Sequence, residues 1–423
     1  MKTVLILTYY FPPYTGIEGH RANSWYSDFK TYDLYPIVIT RHWKKDGQKK
    51  WADYMAECNE PVQHIRENNG EIIRLPYTKH PIFKKYVPEL FRKIFYWGNK
   101  FIGRVQIEVD AERCFYGFAK KYIRSHKIDL ILVTSPPLNL VRLAERLSRK
   151  TNVPFACDFR DSFNNNLLYY NKKFSLSEKI ENTVLKHYTL KWNRNAILIT
   201  AASGPVLRLC TQSDSNSDVI LNGYEKKIFS KLIESPYYFA QFSIGILGQL
   251  YLFHDIDFMS RGFSEWITEN KLKDVRVVFI GLNARPEVVA IIKQKVPNEF
   301  LIITDRIDRD DALKTMRQCH ILCNIGIYNA NGIYSGKIFE YLGLQRNILL
   351  APSDRNVQEE ILTETHAGIS VSTVEEMKKV LTDWYREWKK NGNLRYYGDV
   401  NKLEKYTRDA QTKKLATLID KKI

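Results

Sequence analysis

The sequence predicts an α/β protein made of two doubly wound parallel-sheet units. Three observations carry that reading. Short apolar runs alternate with amphipathic helical stretches through most of the chain, the pattern of parallel strands covered by helices. The alternation breaks once, in a polar and aromatic segment without a clear period over 225–241, and restarts at Phe242. Each series opens with an apolar strand that runs into a glycine-containing loop: YYFPPYTGIEGHR after 4–7, and the Gly248 turn after 243–247.

The 423 residues are enough for two or three domains with real cores. A 44% apolar content marks a globular chain. The formal charge of +17 suits nucleic acid, an anionic membrane or anionic substrates. The six cysteines, at 58, 114, 157, 210, 319 and 323, form no zinc-type pair and read as reduced thiols of a cytoplasmic protein. Met1-Lys2 leads directly into the first strand, so no signal peptide is expected, and no apolar run approaches the length of a membrane span.

Taken in order, the first series has expected strands at 4–7, 37–40, 72–75, 130–134, 155–157, 196–200 and 219–221, with a helix over about 20–31. The second has strands at 243–247, 275–280, 300–303, 321–324, 348–351 and 368–371. A last helix over about 400–420 follows a Gly-Asn break and is expected to cross back to the first domain. The domains are therefore drawn as 1–224, a linker at 225–241, a second domain at 242–390 and a returning tail at 391–423. Two such domains place ligands at the carboxyl ends of their strands, facing across a cleft.

The second domain is organised around SGKIFEYLGL, residues 335–344, followed by the apolar strand 348–351. Ile338, Tyr341 and Leu342 are spaced for burial on one helix face. The helix start offers the backbone N–H groups of Ser335, Gly336 and Lys337 and the positive end of the dipole, an arrangement suited to anions. Gly336 lets a phosphate approach, Lys337 adds a full charge, and Glu340 stands one turn on, where a carboxylate can accept from a ribose diol. A surface ion pair between Lys337 and Glu340 is the structural alternative.

This stretch resembles the donor-nucleotide motif of the retaining glycosyltransferases of family 4, which have the GT-B fold of two Rossmann-like domains. The resemblance extends along the chain in order. YYFPPYTGIEGHR resembles the first glycine loop, DFRDSF the DxRD segment of a subset acting on bacterial polysaccharides, and LNGY the turn before the linker. SIGILGQL, FIGL and EKYTRDAQTKKLATLID are similar to the first donor-domain strand, the next strand end and the closing helix. Two departures stand out. Glu340 matches the second of the family's two glutamates, but Gly332 occupies the position of the first, as in the SGK-type subset. The family's Arg and Lys after the first donor strand have no clear counterpart in GQLYLFHDIDF.

The resemblance implies a donor site at Gly248, Gln249, Arg306, Ser335, Gly336, Lys337, Ile338 and Glu340. It implies an acceptor and phosphate loop at Gly16, Gly19, His20 and Arg21, and catalytic roles for Arg160 and Asp161. A buried structural ion pair is the alternative for the last two. No metal or other cofactor is implied; the nucleotide sugar is the substrate, and its leaving phosphate takes the acceptor's proton.

One insertion, 79–106, carries a net +6. Leu90, Phe91, Ile94, Phe95, Trp97, Phe101, Ile102 and Val105 share one side of a helical wheel, with Arg92, Lys93, Lys100 and Arg104 on the other. A basic face against an aromatic-aliphatic face is the pattern of an interfacial membrane helix, or of a helix that covers its own domain. No nucleic-acid motif accompanies it. The expectation is thus a cytoplasmic enzyme attached to the inner face of the membrane. It transfers a sugar, with retention, from a nucleotide-diphosphate donor to a lipid-linked or polysaccharide acceptor, in capsule, O-antigen or exopolysaccharide assembly. A sugar-nucleotide epimerase of the same fold and a non-catalytic membrane- or nucleic-acid-binding module are the alternatives.

Overall fold

A computed structural model describes every residue except 15, 44–55, 84–86, 170–172, 213–214, 235–238, 249 and 329. The chain divides into two compact units, Met1–Asn222 with Arg408–Ile423, and Gly223–Thr407.

In the first unit the described strands are β1 (Lys2–Leu7), β2 (Leu34–Arg41), β3 (Gln63–Glu67), β4 (Gly70–Leu75), β5 (Leu130–Ser135), β6 (Phe155–Phe159), β7 (Leu198–Ala201) and β8 (Ser217–Val219). They form one sheet in the order β3-β4-β2-β1-β5-β6-β7-β8. All neighbours pair in parallel except β3 with β4. The central strands are continuous apolar runs because helices cover both faces, and Val4 to Leu7 are fully buried. Strand β3 was not expected. It is a largely exposed, polar edge joined to β4 by a two-residue turn, with Glu67 opposite Gly70. The signal for it is the Asn68-Asn69-Gly70 turn rather than hydrophobicity.

The last helix is not continuous. It breaks into Val400–Leu403, a 3-10 turn Glu404–Tyr406 and Arg408–Asp420, because Thr407 is extended. The Arg408–Asp420 helix belongs to the first unit, where Leu415, Ala416 and Ile419 join a buried cluster with Trp25 and Phe29. Full burial of such a side chain contributes about 1.5–3 kcal/mol.

The second unit has β9 (Phe242–Leu247), β10 (Val275–Ile280), β11 (Leu301–Ile303), β12 (Ile321–Asn324), β13 (Asn347–Leu350) and β14 (Gly368–Ser370), in the order β11-β10-β9-β12-β13-β14. Every pairing is parallel, so all six strands end on the same edge. Where a linker was expected, the chain forms a helix, Lys226–Ile233, within this unit. Its Phe229 is buried. Gly343 of the SGKIFEYLGL stretch makes room for it: a Cβ there would meet the rings of Phe229 and Tyr224 at 2.7–2.8 Å.

Arg21 fastens the first unit internally. Its Nε donates to Asp158 Oδ2 at 3.0 Å, and its Nη1 donates to the carbonyls of Ile220 at 2.7 Å and Leu221 at 3.0 Å. Asp158 also accepts from Thr200 and Thr134. Removing one partner of a buried, hydrogen-bonded pair strands the other charge. Arg21→Met is therefore expected to lower stability by about 3–5 kcal/mol in urea unfolding. A loss below about 1 kcal/mol, the level of an exposed pair, would show that the pair does not hold the unit together.

Candidate functional site

The helix Gly336–Leu344 starts at the N-cap Ser335, whose side chain makes no capping bond, and no acidic residue stands in its first turn. The positive end of its dipole is thus left uncompensated from within the helix. Tyr341, fully buried, accepts a hydrogen bond at its hydroxyl from Leu247 N at 2.8 Å. That bond ties the helix to the last residue of β9. The chain then turns at Gly248 with φ +73°, which a side chain rarely adopts. A Cβ on Gly248 would make ordinary contact with Lys337, 3.4 Å from its Cε and 3.8 Å from its Nζ, so the end of the lysine side chain lies close to this turn. Gly281, at the end of β10 with φ +83°, packs beside Gly248 and the backbone of Arg306. The carboxyl ends of β9, β10 and β11 and the Lys337 head therefore meet at one place.

Lys337 is half-buried, and its pKa is lowered to about 8. Loss of hydration is the main cause, and Glu340 partly opposes it. His254 stands close enough to feel the Lys337 charge, and its own pKa is lowered to about 4, by burial first and Lys337 second. Its Nδ1 lies 3.0 Å from Tyr251 N and 3.2 Å from Tyr251 O, which fixes the ring against that turn. Neither His254 nor its placement was read from the sequence; the signal was its position six residues after Gly248, in the stretch GQLYLFHDIDF.

Glu340 is held by Arg309, with Arg309 Nε and Nη2 both 3.1 Å from its Oε1. Arg309 also lies 4.0 Å from Glu225. Arg309 is a second residue that sequence reasoning missed, since ITDRIDRDD offers two arginines at one strand end. Arg306, the one expected, is exposed. Ile338 is corrected: its side chain is fully buried in the core and its N–H bonds to Ser335 O at 3.1 Å, which leaves it nothing to offer a ligand. Gln249 lies outside the described residues.

In the first unit, Gly16 precedes a short 3-10 turn, Ile17–Gly19, and Gly19 ends it. A Cβ on Gly16 would overlap the Tyr14 hydroxyl and the Glu18 carboxylate, whereas one on Gly19 would make only ordinary contact with backbone at 3.5 Å. Glu18, not singled out from the sequence, accepts from Tyr14 at 2.7 Å and sits 3.5 Å from Arg160 Nη1. Arg160 in turn donates from Nε to Asp161 at 2.7 Å. Glu18, Arg160 and Asp161 thus form one charged row between the glycine loop and the end of β6. Arg160 Nη1 has no hydrogen-bond partner among the described residues. Arg21 is correspondingly absent from this row, because Asp158 and the β8 exit hold it. His20 Nδ1 lies 2.7 Å from Arg408 Nη2.

The insertion helix spans Glu89–Phe101, shorter than the sequence pattern indicates, and the chain turns at Gly103 with φ +76°. Leu90, Phe91, Ile94 and Phe101 are 67, 63, 60 and 56% exposed, so the apolar face does not cover the domain. Arg92 and Lys93 are exposed as well, and Trp97 is half-buried. Lys100 and Val105 are corrected. Lys100 is buried, ion-paired to Glu181 and 3.9 Å above the Tyr96 ring, and Val105 is in the core. Arg104 lies past the helix end. No described helix is long and apolar enough to cross a membrane.

These two parallel-sheet units, with the glycine turns and the Lys337 helix start gathered at the strand ends of the second, have the GT-B fold. Solved structures align over the whole chain. Sucrose-phosphate synthase from Thermosynechococcus elongatus superposes with a TM-score of 0.64 at 10% identity, covering 100% of this chain and 99% of that one. HepE of Anabaena, solved with UDP-glucose, gives 0.59 at 12% identity and covers 100% of both chains. OtsA, a trehalose-6-phosphate synthase, gives 0.62 at 10% identity and likewise covers 100% of both. At such identities the likeness is one of fold. No protein-family model and no curated protein sequence matches the chain.

The titration of Lys337 reports its surroundings directly. With its pKa lowered, Lys337 is a cation below about pH 8 and loses that charge as pH rises through about 8. A Lys Cε NMR titration is expected to find one lysine with a midpoint near 8, absent in Lys337→Ala. Sulfate, whose charge is constant in this range, should shift that midpoint upward by stabilising the ammonium. A midpoint near the ordinary lysine value, insensitive to sulfate, would contradict the site.

Proposed function

We propose that the chain is a retaining glycosyltransferase, similar in kind to family 4, that uses a nucleoside-diphosphate sugar and a lipid-linked or polysaccharide acceptor. The observation that carries this reading is the Lys337 ammonium close to the Gly248 turn at a helix start with no side-chain cap, at the strand ends of the second unit. HepE, of the same fold, was solved with UDP-glucose. In this reading Lys337 and the helix start stabilise the diphosphate as the sugar C1–O bond breaks, an electrostatic role that strengthens as charge develops. Neutral His254 stands beside Lys337, where the family's second cation has no clear counterpart. Glu340, oriented by Arg309, receives the ribose hydroxyls. The new C1–O bond forms on the same face, and the acceptor's proton passes to the leaving phosphate. Arg160 and Asp161 belong to the acceptor side. No cofactor is assigned.

A panel of UDP-, GDP- and dTDP-sugars, screened by thermal melting, tests the donor assignment. One of them is expected to raise the melting temperature, because a ligand of the native state stabilises it. Lys337→Ala and Glu340→Ala should each weaken that binding by about 1.5–3 kcal/mol, the worth of a hydrogen bond to a charged group. Turnover of the donor without any acceptor into an epimeric sugar nucleotide would replace this reading with that of an epimerase. No stabilisation by any sugar nucleotide would remove both.

The exposed apolar face of Glu89–Phe101, with Arg92 and Lys93 beside it, supports attachment to an anionic membrane. The chain is expected to sediment with phosphatidylglycerol vesicles more than with phosphatidylcholine vesicles, with basic residues near the surface contributing about 1 kcal/mol each. Salt should weaken the binding without abolishing it, since apolar burial is not screened. Phe91→Ser, Ile94→Ser and Phe101→Ser together change only exposed positions and should remove the salt-resistant part. Full vesicle binding by this folded variant at high salt would place the membrane contact elsewhere.

A further inference from the structure

The helix Arg309–Gln318 follows β11 in the second unit and carries an arginine at each end. Arg317, in its last turn, is buried. Arg317 Nη1 donates to Leu344 O at 3.2 Å, and its Nη2 donates to Ile233 O at 3.3 Å. Leu344 and Ile233 are the last residues of the helices Gly336–Leu344 and Lys226–Ile233. A helix end exposes unpaired carbonyls and the negative pole of its dipole, so one guanidinium holds two such ends at once. Phe229, fitted under Gly343, packs the same two helices side by side. The helix that bears Glu340 is thereby fixed within a frame of two others.

Arg309 is the first residue of its helix, and its side chain is partly exposed. Its Nε donates to Glu340 Oε1 at 3.1 Å, and its Nη2 lies 3.1 Å from the same oxygen. On its other side Nη1 lies 4.0 Å from Oε1 of Glu225, the N-cap residue of Lys226–Ile233. The guanidinium thus spans two carboxylates, each carried by one of the framed helices. Both of its contacts with Glu340 fall on Oε1. Glu340 Oε2 accepts no hydrogen bond among the described residues and keeps contact with solvent. Lys337 stands three residues before Glu340 on the same helix, the spacing at which the two side chains can pair. A carboxylate drawn wholly onto Lys337 would screen the ammonium from a phosphate and turn its open oxygen away from a ligand. Arg309 opposes that collapse from the opposite side.

We propose that Arg309 is a positioning residue that makes the donor site select a ribonucleoside diphosphate over its 2′-deoxy counterpart. It occupies Glu340 Oε1 and leaves Oε2 to accept from the sugar hydroxyls, so a nucleotide that lacks the 2′-hydroxyl loses a hydrogen bond to a charged group. The inference rests on the donor reading above and narrows it: a dTDP-sugar is disfavoured as donor.

The test has two arms, both on the full chain. Arg309 is partly exposed and Arg317 holds its helix, so Arg309→Gln leaves the fold intact. The first arm reads the Lys337 midpoint by Lys Cε NMR without nucleotide. Arg309→Gln is expected to raise it, because the released Glu340 pairs with Lys337 and stabilises the ammonium. Loss of the Arg309 charge acts in the same direction, so the cycle is closed with Glu340→Gln. In that background Arg309→Gln should shift the midpoint far less. An equal rise in both backgrounds, or none in either, overturns the proposal. The second arm titrates UDP, GDP, ADP and their 2′-deoxy counterparts by calorimetry. The wild-type chain is expected to bind one ribonucleotide about ten- to a hundredfold more tightly than its deoxy counterpart, the worth of one hydrogen bond to a carboxylate. Arg309→Gln should remove most of that preference, and Arg309→Lys, which keeps a cation beside Glu340, should retain part of it. No preference in the wild-type chain, or one that Arg309→Gln leaves intact, overturns the proposal while the donor site stands. Binding by none of these nucleotides strikes the donor reading itself, and the ribose choice with it.

Discussion

A lysine ammonium held partly out of water against a bare backbone is the constraint around which the second unit is arranged. Loss of hydration brings the Lys337 pKa down to about 8, and the Glu340 carboxylate partly offsets it. Each neighbouring feature serves that position. Gly248 turns the chain in the left-handed region, and the end of the Lys337 side chain lies close to that turn. Tyr341 anchors the strand end that leads into Gly248. Arg309 holds Glu340 in an ion pair, so this carboxylate acts on both Arg309 and Lys337. His254 stays neutral beside the cation, which avoids a second buried positive charge.

Much of this architecture was legible in the residues because parallel strands buried on both faces have to be apolar throughout. Runs such as 4–7, 243–247 and 275–280 have that character, and the strands found there match them. The SGK helix start was legible for a related reason: Ser, Gly and Lys at a helix N-terminus are chemically distinctive whatever surrounds them. Edge strand β3 was not, since an exposed edge carries no hydrophobic signal and only its turn betrays it. Choice of partner was not legible either. Arg21 and Arg160 look alike in sequence, each just past or before a glycine loop or strand end. Only the fold shows that one is consumed by Asp158 and two carbonyls while the other joins Glu18 and Asp161. Lys100 makes the same point in reverse. A helical wheel gives it to the polar face, but Glu181 and the Tyr96 ring give it a buried place.

The insertion helix reads differently once exposure is known. An amphipathic pattern alone does not say whether the apolar side meets the protein or something else. Four large apolar side chains standing in solvent on one short helix are a surface that monomeric proteins rarely leave uncovered.

A crystal structure of the chain with the nucleoside diphosphate of whichever sugar nucleotide stabilises it decides whether Lys337 receives a diphosphate. The β-phosphate oxygens are expected within hydrogen-bonding distance of Lys337 Nζ and the Gly336 end of the helix, with the ribose hydroxyls at Glu340. That nucleotide bound with its phosphates away from Lys337 would overturn the donor site.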